Sequence, residues 1–268
     1  MAERRVSTGP APLIIAHRGD PTRHPENSLA GLRSAFDAGA DAVEFDVRLT
    51  VDGFPIVIHD ADVGRTTEGS GAVHEMTLDE LRRLRLRDAT DERLPTLREA
   101  LGVAAKRRGG VDVEIKNVPG DPAYEPDGER ALEATLRELA GEDVGFVLIS
   151  SFNPSTLRRS RQLAPDIPTG LLIVDAVDPR AALEAARIDG HTYLLPSVPA
   201  LDAAGRGLVA EAHEAGVRVG TWNADEPATV RRLLEWNVDA VATNDPRMAA
   251  ATREAWRRER RSGRAASP

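Results

Sequence analysis

The chain has 268 residues, 41% of them hydrophobic and 4% aromatic, with 35 basic and 43 acidic side chains and a formal charge of −8. It contains no cysteine, which excludes disulfides, thiolate metal sites and a cysteine nucleophile. The acidic balance argues against nucleic acid as a partner, and no apolar run approaches the roughly 18 residues of a membrane-spanning helix, so no stable membrane insertion is expected.

Residues 1–12 carry Arg4 and Arg5 with no apolar segment behind them. They read as an N-terminal extension rather than a secretory signal, and the expected location is cytoplasmic. A single domain is expected over residues 13–252. Its apolar runs, in order, are Leu13–Ala16, Ala42–Val47, Val111–Lys116, Phe146–Ser150, Thr169–Val174, Thr192–Pro196, Val217–Trp222 and Val238–Thr243. They are short, continuous and rich in Val, Ile and Leu, as strands buried on both faces are.

Helical signals fall between them. Asn27 is placed to cap a helix through Phe36 that ends at Gly39. Thr77-x-x-Glu80 and Thr96-x-x-Glu99 have capping-box spacing. Asn153-Pro154 and Asp178-Pro179 each put a capping side chain before a proline at the first helical position. Helices over Asp202 to Ala215 and Thr229 to Trp236 complete the set. Residues 253–268, with six arginines between Arg253 and Arg264, read as the solvated end of a terminal helix.

One segment breaks the strand–helix alternation. After Ala42–Val47 comes Thr50-Val51-Asp52-Gly53 and then another extended stretch to His59. So few residues cannot make a parallel crossover, whereas Asp-Gly favours a tight antiparallel turn. Residues 47–59 are therefore expected to form a hairpin that continues past the second strand and folds back. Residues 60–95 would be an elaborated loop. The fold class is α/β: a single (β/α)8 TIM barrel with this hairpin excursion and the loop over its C-terminal rim.

Barrels of this kind carry their sites at the C-terminal ends of the strands. Polar residues falling there are His17 and Arg18, Glu44 and Asp46, His59 and Asp60, Glu114 and Lys116, Trp222-Asn223, and Asn244-Asp245. Three carboxylates without soft ligands suit one divalent cation of oxygen preference, Mg²⁺ or Ca²⁺ rather than Zn²⁺. Arg18 and Lys116 beside it would make a phosphate cradle, and Lys116 stands out because only two lysines occur in the chain. His17 and His59 can serve as general acid and base on either side of a phosphorus atom. The expected partner is a small-molecule phosphodiester.

His17-Arg18-Gly19, Pro25-Glu26-Asn27-Ser28, Glu44-Phe45-Asp46-Val47, Thr50-x-Asp52-Gly53 and His59-Asp60 resemble, in order and spacing, the glycerophosphodiester phosphodiesterase signature. Glu114-Ile115-Lys116, Ser150-Ser151-Phe152, Trp222 and Thr243-x-x-Pro246 extend the likeness over nearly the whole chain. The resemblance implies metal-dependent hydrolysis of a glycerophosphodiester to sn-glycerol 3-phosphate and an alcohol. It implies catalysis by His17 and His59, metal ligation by Glu44, Asp46 and Glu114, phosphate contacts from Arg18 and Lys116, and a substrate contact from Trp222. Ser28 stands where the family often has threonine. Trp222-Asn223-Ala224-Asp225 stands where it often has Trp-Thr-x-Asn.

Rival readings exist. Glu44 and Asp46 could be neutralised by Arg18 or Lys116 as a purely structural ion pair. Sugar isomerisation or enolisation also gathers carboxylates in a barrel, but has no need of the two cations and two histidines. Lysophospholipase D or sphingomyelinase D-like activity, and phosphodiester binding without catalysis, are the alternatives nearest to the main reading. Asp60 and Glu26 are candidates for orienting His59 and the first loop. His24, His74, His191 and His213 receive no chemical role.

Overall fold

The computed structural model describes residues 12–88 and 91–265. Its strands are β1 (Leu13–His17), β2 (Ala42–Leu49), β3 (Pro55–Val57), β4 (Gly110–Ile115), β5 (Val147–Ser151), β6 (Thr169–Ile173), β7 (Tyr193–Pro196), β8 (Arg218–Thr221) and β9 (Ala240–Thr243). All but β3 pair in parallel in the order β1-β9-β8-β7-β6-β5-β4-β2, and β2 returns to β1, closing an eight-stranded barrel. The ninth strand, β3, lies outside the ring, antiparallel to β2, with Val47 opposite Val57 and Leu49 opposite Pro55. Gly53 turns this hairpin at φ 81, a backbone that favours glycine.

The helices are α1 (Leu29–Asp37), α2 (Leu78–Leu81), α3 (Leu97–Arg107), α4 (Glu129–Leu139), α5 (Pro154–Leu163), α6 (Pro179–Asp189), α7 (Val198–Ala204), α8 (Gly207–Glu214), α9 (Pro227–Trp236) and α10 (Pro246–Ala265). Both capping boxes form, at Thr77 and Thr96, and Asn153 and Asp178 cap α5 and α6 before their prolines.

Two expectations need correction, and one helix was not foreseen. The cap of α1 is Ser28, whose hydroxyl accepts from the Gly31 N–H, because Asn27 takes a left-handed backbone and sends its amide elsewhere. The helix expected over Asp202 to Ala215 is two helices. It is broken at Gly205 (φ 75), and α7 begins earlier, capped by the Ser197 hydroxyl. The helix α4 had no sequence signal, since its cap is Gly128 in the left-handed region with no side chain to offer.

The extension expected over residues 1–12 lies, up to residue 11, outside the described residues. At the other end α10 runs on past residue 252. Arg253 is buried against Asp41 and the Pro12 carbonyl, and Trp256 belongs to the main core, whereas Arg258, Arg260 and Arg261 are exposed.

Alternate strand residues face two different interiors. Val43, Phe45, Val47, Val111, Val113 and Ile115 pack against the helices in the main core. Burying each such side chain contributes about 1.5–3 kcal/mol. The intervening residues point into the barrel. On β5 to β7 these are Leu148, Leu172, Tyr193 and Leu195, which form an apolar cluster with Trp222 and Phe152 at its edge. On β2 and β4 they are Glu44, Asp46, Asp112 and Glu114, all buried. The barrel interior is thus apolar on one wall and acidic on the other. The segment between β3 and α3 contributes to a separate small core of Ile56, Ile58, Val63, Val73, Leu81, Leu86 and Leu94.

Candidate active site

Register brings the acidic groups together. His17 on β1 lies level with Glu44 on β2, and Asp46 lies level with Glu114 on β4. The Ile58 N–H donates to the Asp46 carbonyl, which fixes where the returning chain leaves the hairpin and so where His59 begins. Arg48 holds that position from the other side, its Nε donating to the His59 carbonyl at 2.8 Å.

The turn after β1 is set by close packing. Gly19 has φ 89, and a Cβ there would sit 2.8 Å from the Gly31 carbonyl carbon. Arg18 before it is also left-handed, φ 56, and this conformation aims its N–H at Glu44 Oε2, 2.9 Å away. Asn27, again at φ 56, donates its N–H to the Arg18 carbonyl and its Nδ2 to Asp46 Oδ2 at 2.9 Å. The first loop therefore delivers three groups to the carboxylates: a peptide N–H, an amide and the Arg18 guanidinium, whose Nε lies 3.3 Å from Asp46.

Seven of the eight expected site residues, His17, Arg18, Glu44, His59, Glu114, Lys116 and Trp222, line one cavity of about 140 Å³. Asp46 lies fully buried behind it. A wider cavity of about 340 Å³, lined by Val51, His74, Tyr124 and Arg130 among others, adjoins at Lys116.

Ligand oxygens of Glu44, Asp46 and Glu114 lie within 4.8 Å of one another. Lys116 Nζ stands 2.7 Å from Glu114 and 3.4 Å from Asp46. The ion pair weighed as a purely structural alternative thus forms, but it leaves three carboxylates against two cations. Glu44 is the one left over. Among the described residues its Oε1 is buried without a hydrogen-bond partner, and Asp46 Oδ1 likewise accepts no hydrogen bond and has only the Lys116 ammonium at 3.4 Å. Burial, then the neighbouring Asp46 and Glu114 charges, push the Glu44 carboxyl well above its ordinary range. Burial also raises Glu114, against the pull of Lys116. Burial favours the neutral form of Asp46 as well, but Lys116, Arg18, His59 and the Asn27 amide outweigh it and hold the carboxyl low. A site that cannot comfortably ionise all three groups, and whose ligand oxygens lie within 4.8 Å of one another, fits a bound divalent cation.

The two histidines differ in support. His59 Nδ1 is 2.6 Å from Asp60 Oδ1. Asp60 is held by Arg65, and Arg65 forks onto Glu26 at 2.7 and 2.8 Å. Glu26 in turn meets Arg18 at 3.2 Å, so a chain of charges joins the loops that carry both histidines. Sequence reasoning named Glu26 and Asp60 but missed Arg65, which lies in the long loop with no motif around it. His17 Nδ1 instead meets an amide, Asn244 Oδ1 at 2.8 Å. Burial, then the Arg18 charge, lowers His17; burial, then Lys116 and Arg18, lowers His59 against the raising effect of Asp46 and Asp60.

Trp222 is fixed by its own hydrogen bond, Nε1 donating to the Leu195 carbonyl at 2.9 Å, and meets Phe152 edge-on at 5.6 Å between centroids. Asp112, two residues before Glu114, was not foreseen. It lines the same cavity, and burial lifts its carboxyl to about 7.

The sequence matches the glycerophosphoryl diester phosphodiesterase family over residues 17–248. It is 36% identical over 244 residues to a glycerophosphodiester phosphodiesterase of Caldanaerobacter subterraneus subsp. tengcongensis, covering 87% of this chain and 94% of that one. It is 30% identical over 251 residues to a glycerophosphodiester phosphodiesterase of Bacillus subtilis, covering 87% and 84%. Among solved structures, a phosphodiesterase of Oleispira antarctica in complex with the product sn-glycerol-3-phosphate superposes with a TM-score of 0.82 at 28% identity, covering 91% of this chain and 97% of that chain.

Proposed function

The chain belongs to the glycerophosphoryl diester phosphodiesterase family, and on that premise we propose how its rim hydrolyses a glycerophosphodiester to sn-glycerol 3-phosphate and an alcohol. Glu44, Asp46 and Glu114 hold one divalent cation, Mg²⁺ or Ca²⁺, the ions that all-oxygen sites prefer. When bound, that ion supplies positive charge against the phosphate and its developing negative charge.

Arg18 and Lys116 bind non-bridging phosphate oxygens, the arginine as a fork and the lysine as a point charge. One histidine takes a proton from the attacking water, and the other returns one to the alcohol oxygen as its bond to phosphorus breaks. Trp222, held at the edge of the apolar wall by its hydrogen bond to the Leu195 carbonyl, packs against the substrate's carbon atoms. The cavity beyond Lys116 leaves room for the alcohol.

The observation that carries this reading is the convergence of a buried three-carboxylate cluster with two histidines and two cations in one cavity. The test is a product assay over glycerophosphocholine, glycerophosphoethanolamine, glycerophosphoglycerol and lysophospholipids, with Mg²⁺, Ca²⁺ or EDTA. Release of sn-glycerol 3-phosphate from at least one of the first three, stopped by EDTA, is expected. Turnover of the lysophospholipids alone, to a lysophosphatidic acid and the free alcohol, would favour lysophospholipase D activity, and no turnover of any member would leave a binding protein.

A further inference from the structure

Asn244 has an orientation that its surroundings dictate. Its Nδ2 lies 2.7 Å from Asp225 Oδ2, and its backbone N–H donates to Asp225 Oδ1 at 2.7 Å. The Thr243 hydroxyl also reaches Asp225 Oδ1, at 3.1 Å. A carboxylate only accepts hydrogen bonds, so the Asn244 amide must present its NH₂ to Asp225. Its Oδ1 is then committed to the other side, where it meets His17 Nδ1 at 2.8 Å. A carbonyl oxygen also only accepts, so Nδ1 must carry the imidazole proton.

A second amide lies nearby, Asn223 Nδ2 at 3.1 Å from the same nitrogen. No group among the described residues fixes that amide. Its Oδ1 is buried with no partner, and turning the group end for end would give Nδ1–H a second acceptor. Asn244 cannot turn in this way without setting its oxygen against the Asp225 carboxylate. The order of authority is therefore Asp225, then Asn244, then His17.

We propose that Asp225 and Asn244 are positioning residues that lock His17 in its Nδ1–H form, leaving the lone pair on Nε2 and making His17 the base of the reaction. Nε2 is the nitrogen on the carboxylate side of the ring, 3.9 Å from Glu44. In the step this implies, Nε2 takes a proton from water while the water oxygen bonds to phosphorus. The phosphorus–alcohol bond breaks, its electron pair goes to the alcohol oxygen, and His59 supplies that oxygen with a proton. His59 takes the donor role because the Asp60 carboxylate on its Nδ1 opposes the lowering of its pKa by burial, Lys116 and Arg18. This rests on the hydrolytic reading above and deepens it. It also gives a use to the segment Trp222-Asn223-Ala224-Asp225, which differs from the common family pattern.

The polarity of the relay makes it testable by exchange. In Asp225→Asn the new amide must turn its oxygen to the Asn244 N–H. Its NH₂ then faces the Asn244 side chain, which turns over and presents NH₂ to His17. The Nε2–H form is then favoured and the base is lost. Asn244→Asp sets two carboxylates against each other. The exchange variant Asp225→Asn/Asn244→Asp restores an acceptor at His17 and a donor–acceptor pair behind it.

Each single substitution should lower kcat about 10²-fold, the lower range of a lost general base, with KM changed less than about twofold. The exchange variant should recover kcat to within about tenfold of the parent. Independently of turnover, ¹⁵N spectra of the His17 ring in the Mg²⁺-loaded parent protein should show Nδ1 protonated and Nε2 bare, and Asp225→Asn should reverse this. An Nε2–H ring in the parent, kcat near the parental value in both single variants, or an exchange variant no better than either would each overturn the relay. Absence of turnover in the parent with a normal Nδ1–H spectrum would instead remove the hydrolytic reading and leave the tautomer assignment standing.

Discussion

The ammonium of Lys116, the first residue past β4, lies 2.7 Å from a carboxylate oxygen of Glu114, two residues before it. Strand geometry makes this contact, because residues two apart share a face. Lys116 is nearly buried, and the Phe152 ring stands 5.8 Å from its Nζ, so it fills a compact, walled place between two carboxylates. A planar guanidinium does not fit where a point charge does. Lys116→Arg should therefore lose activity nearly as fully as Lys116→Met. Lys106→Arg, exposed on the last turn of α3, should be silent. Kinetics of these variants check it, and full turnover in Lys116→Arg would remove Lys116 from the site.

The Glu44 carboxyl, left over without a cation and destabilised as a charge by burial, predicts metal dependence. EDTA dialysis should abolish hydrolysis, and Mg²⁺ or Ca²⁺ should restore it. Calorimetric titration should find one site, weakened at least about tenfold in Glu44→Gln or Glu114→Gln, since even residues behind a metal's ligands cost 10–100-fold. Unaltered cation affinity in both variants would contradict the cluster as the binding site.

Asn27 joins backbone strain to the site, with φ 56 and its amide on Asp46. Asn27→Gly keeps the left-handed backbone and loses only the amide, so melting should change little while kcat/KM falls. Asn27→Ala should also melt lower, by about 1–2 kcal/mol of left-handed backbone cost. Thermal melts and steady-state kinetics of the pair separate the two effects.

His191 predicts an acid-side instability far from the rim. Burial lowers its pKa from 6.5 to about 4, against the pull of Asp189, and its Nδ1 pairs with the Thr169 hydroxyl. The unfolded chain takes a proton near pH 6.5 that the folded protein refuses until near pH 4. Stability is then intact above about 6.5 and falls through that window, by on the order of 3 kcal/mol. Urea midpoints measured against pH should fall less steeply in His191→Gln than in the parent.

The barrel was legible because its signals are local. Continuous Val, Ile and Leu runs mark strands buried on both faces, and Asp52-Gly53 marks the hairpin that places His59. The helix α4 was not, because a glycine cap leaves no side-chain signature. Asn27 misled for a chemical reason: an asparagine before a helix looks the same whether it caps the helix or, as here, reaches a carboxylate on another strand. The carboxylate cluster was readable since Glu44 and Asp46 sit two apart on a strand that pairs with the one carrying Glu114. The roles of Arg65, Asn244 and Asp225 were not, because no motif ties Arg65 to Glu26, Asp225 to Asn244, or Asn244 to His17, 227 residues away.

The central claim is that His17 and His59 transfer protons at a cation site on this rim, and turnover of the single variants tests it most directly. With metal at saturation and a glycerophosphodiester that the parent hydrolyses, His17→Ala and His59→Ala should each lower kcat by about 10²-fold or more, as loss of general acid–base catalysis does. Their melting temperatures should stay close to the parent's, because both side chains line a cavity and neither belongs to a hydrophobic core cluster. Near-parental kcat in either variant would contradict the account.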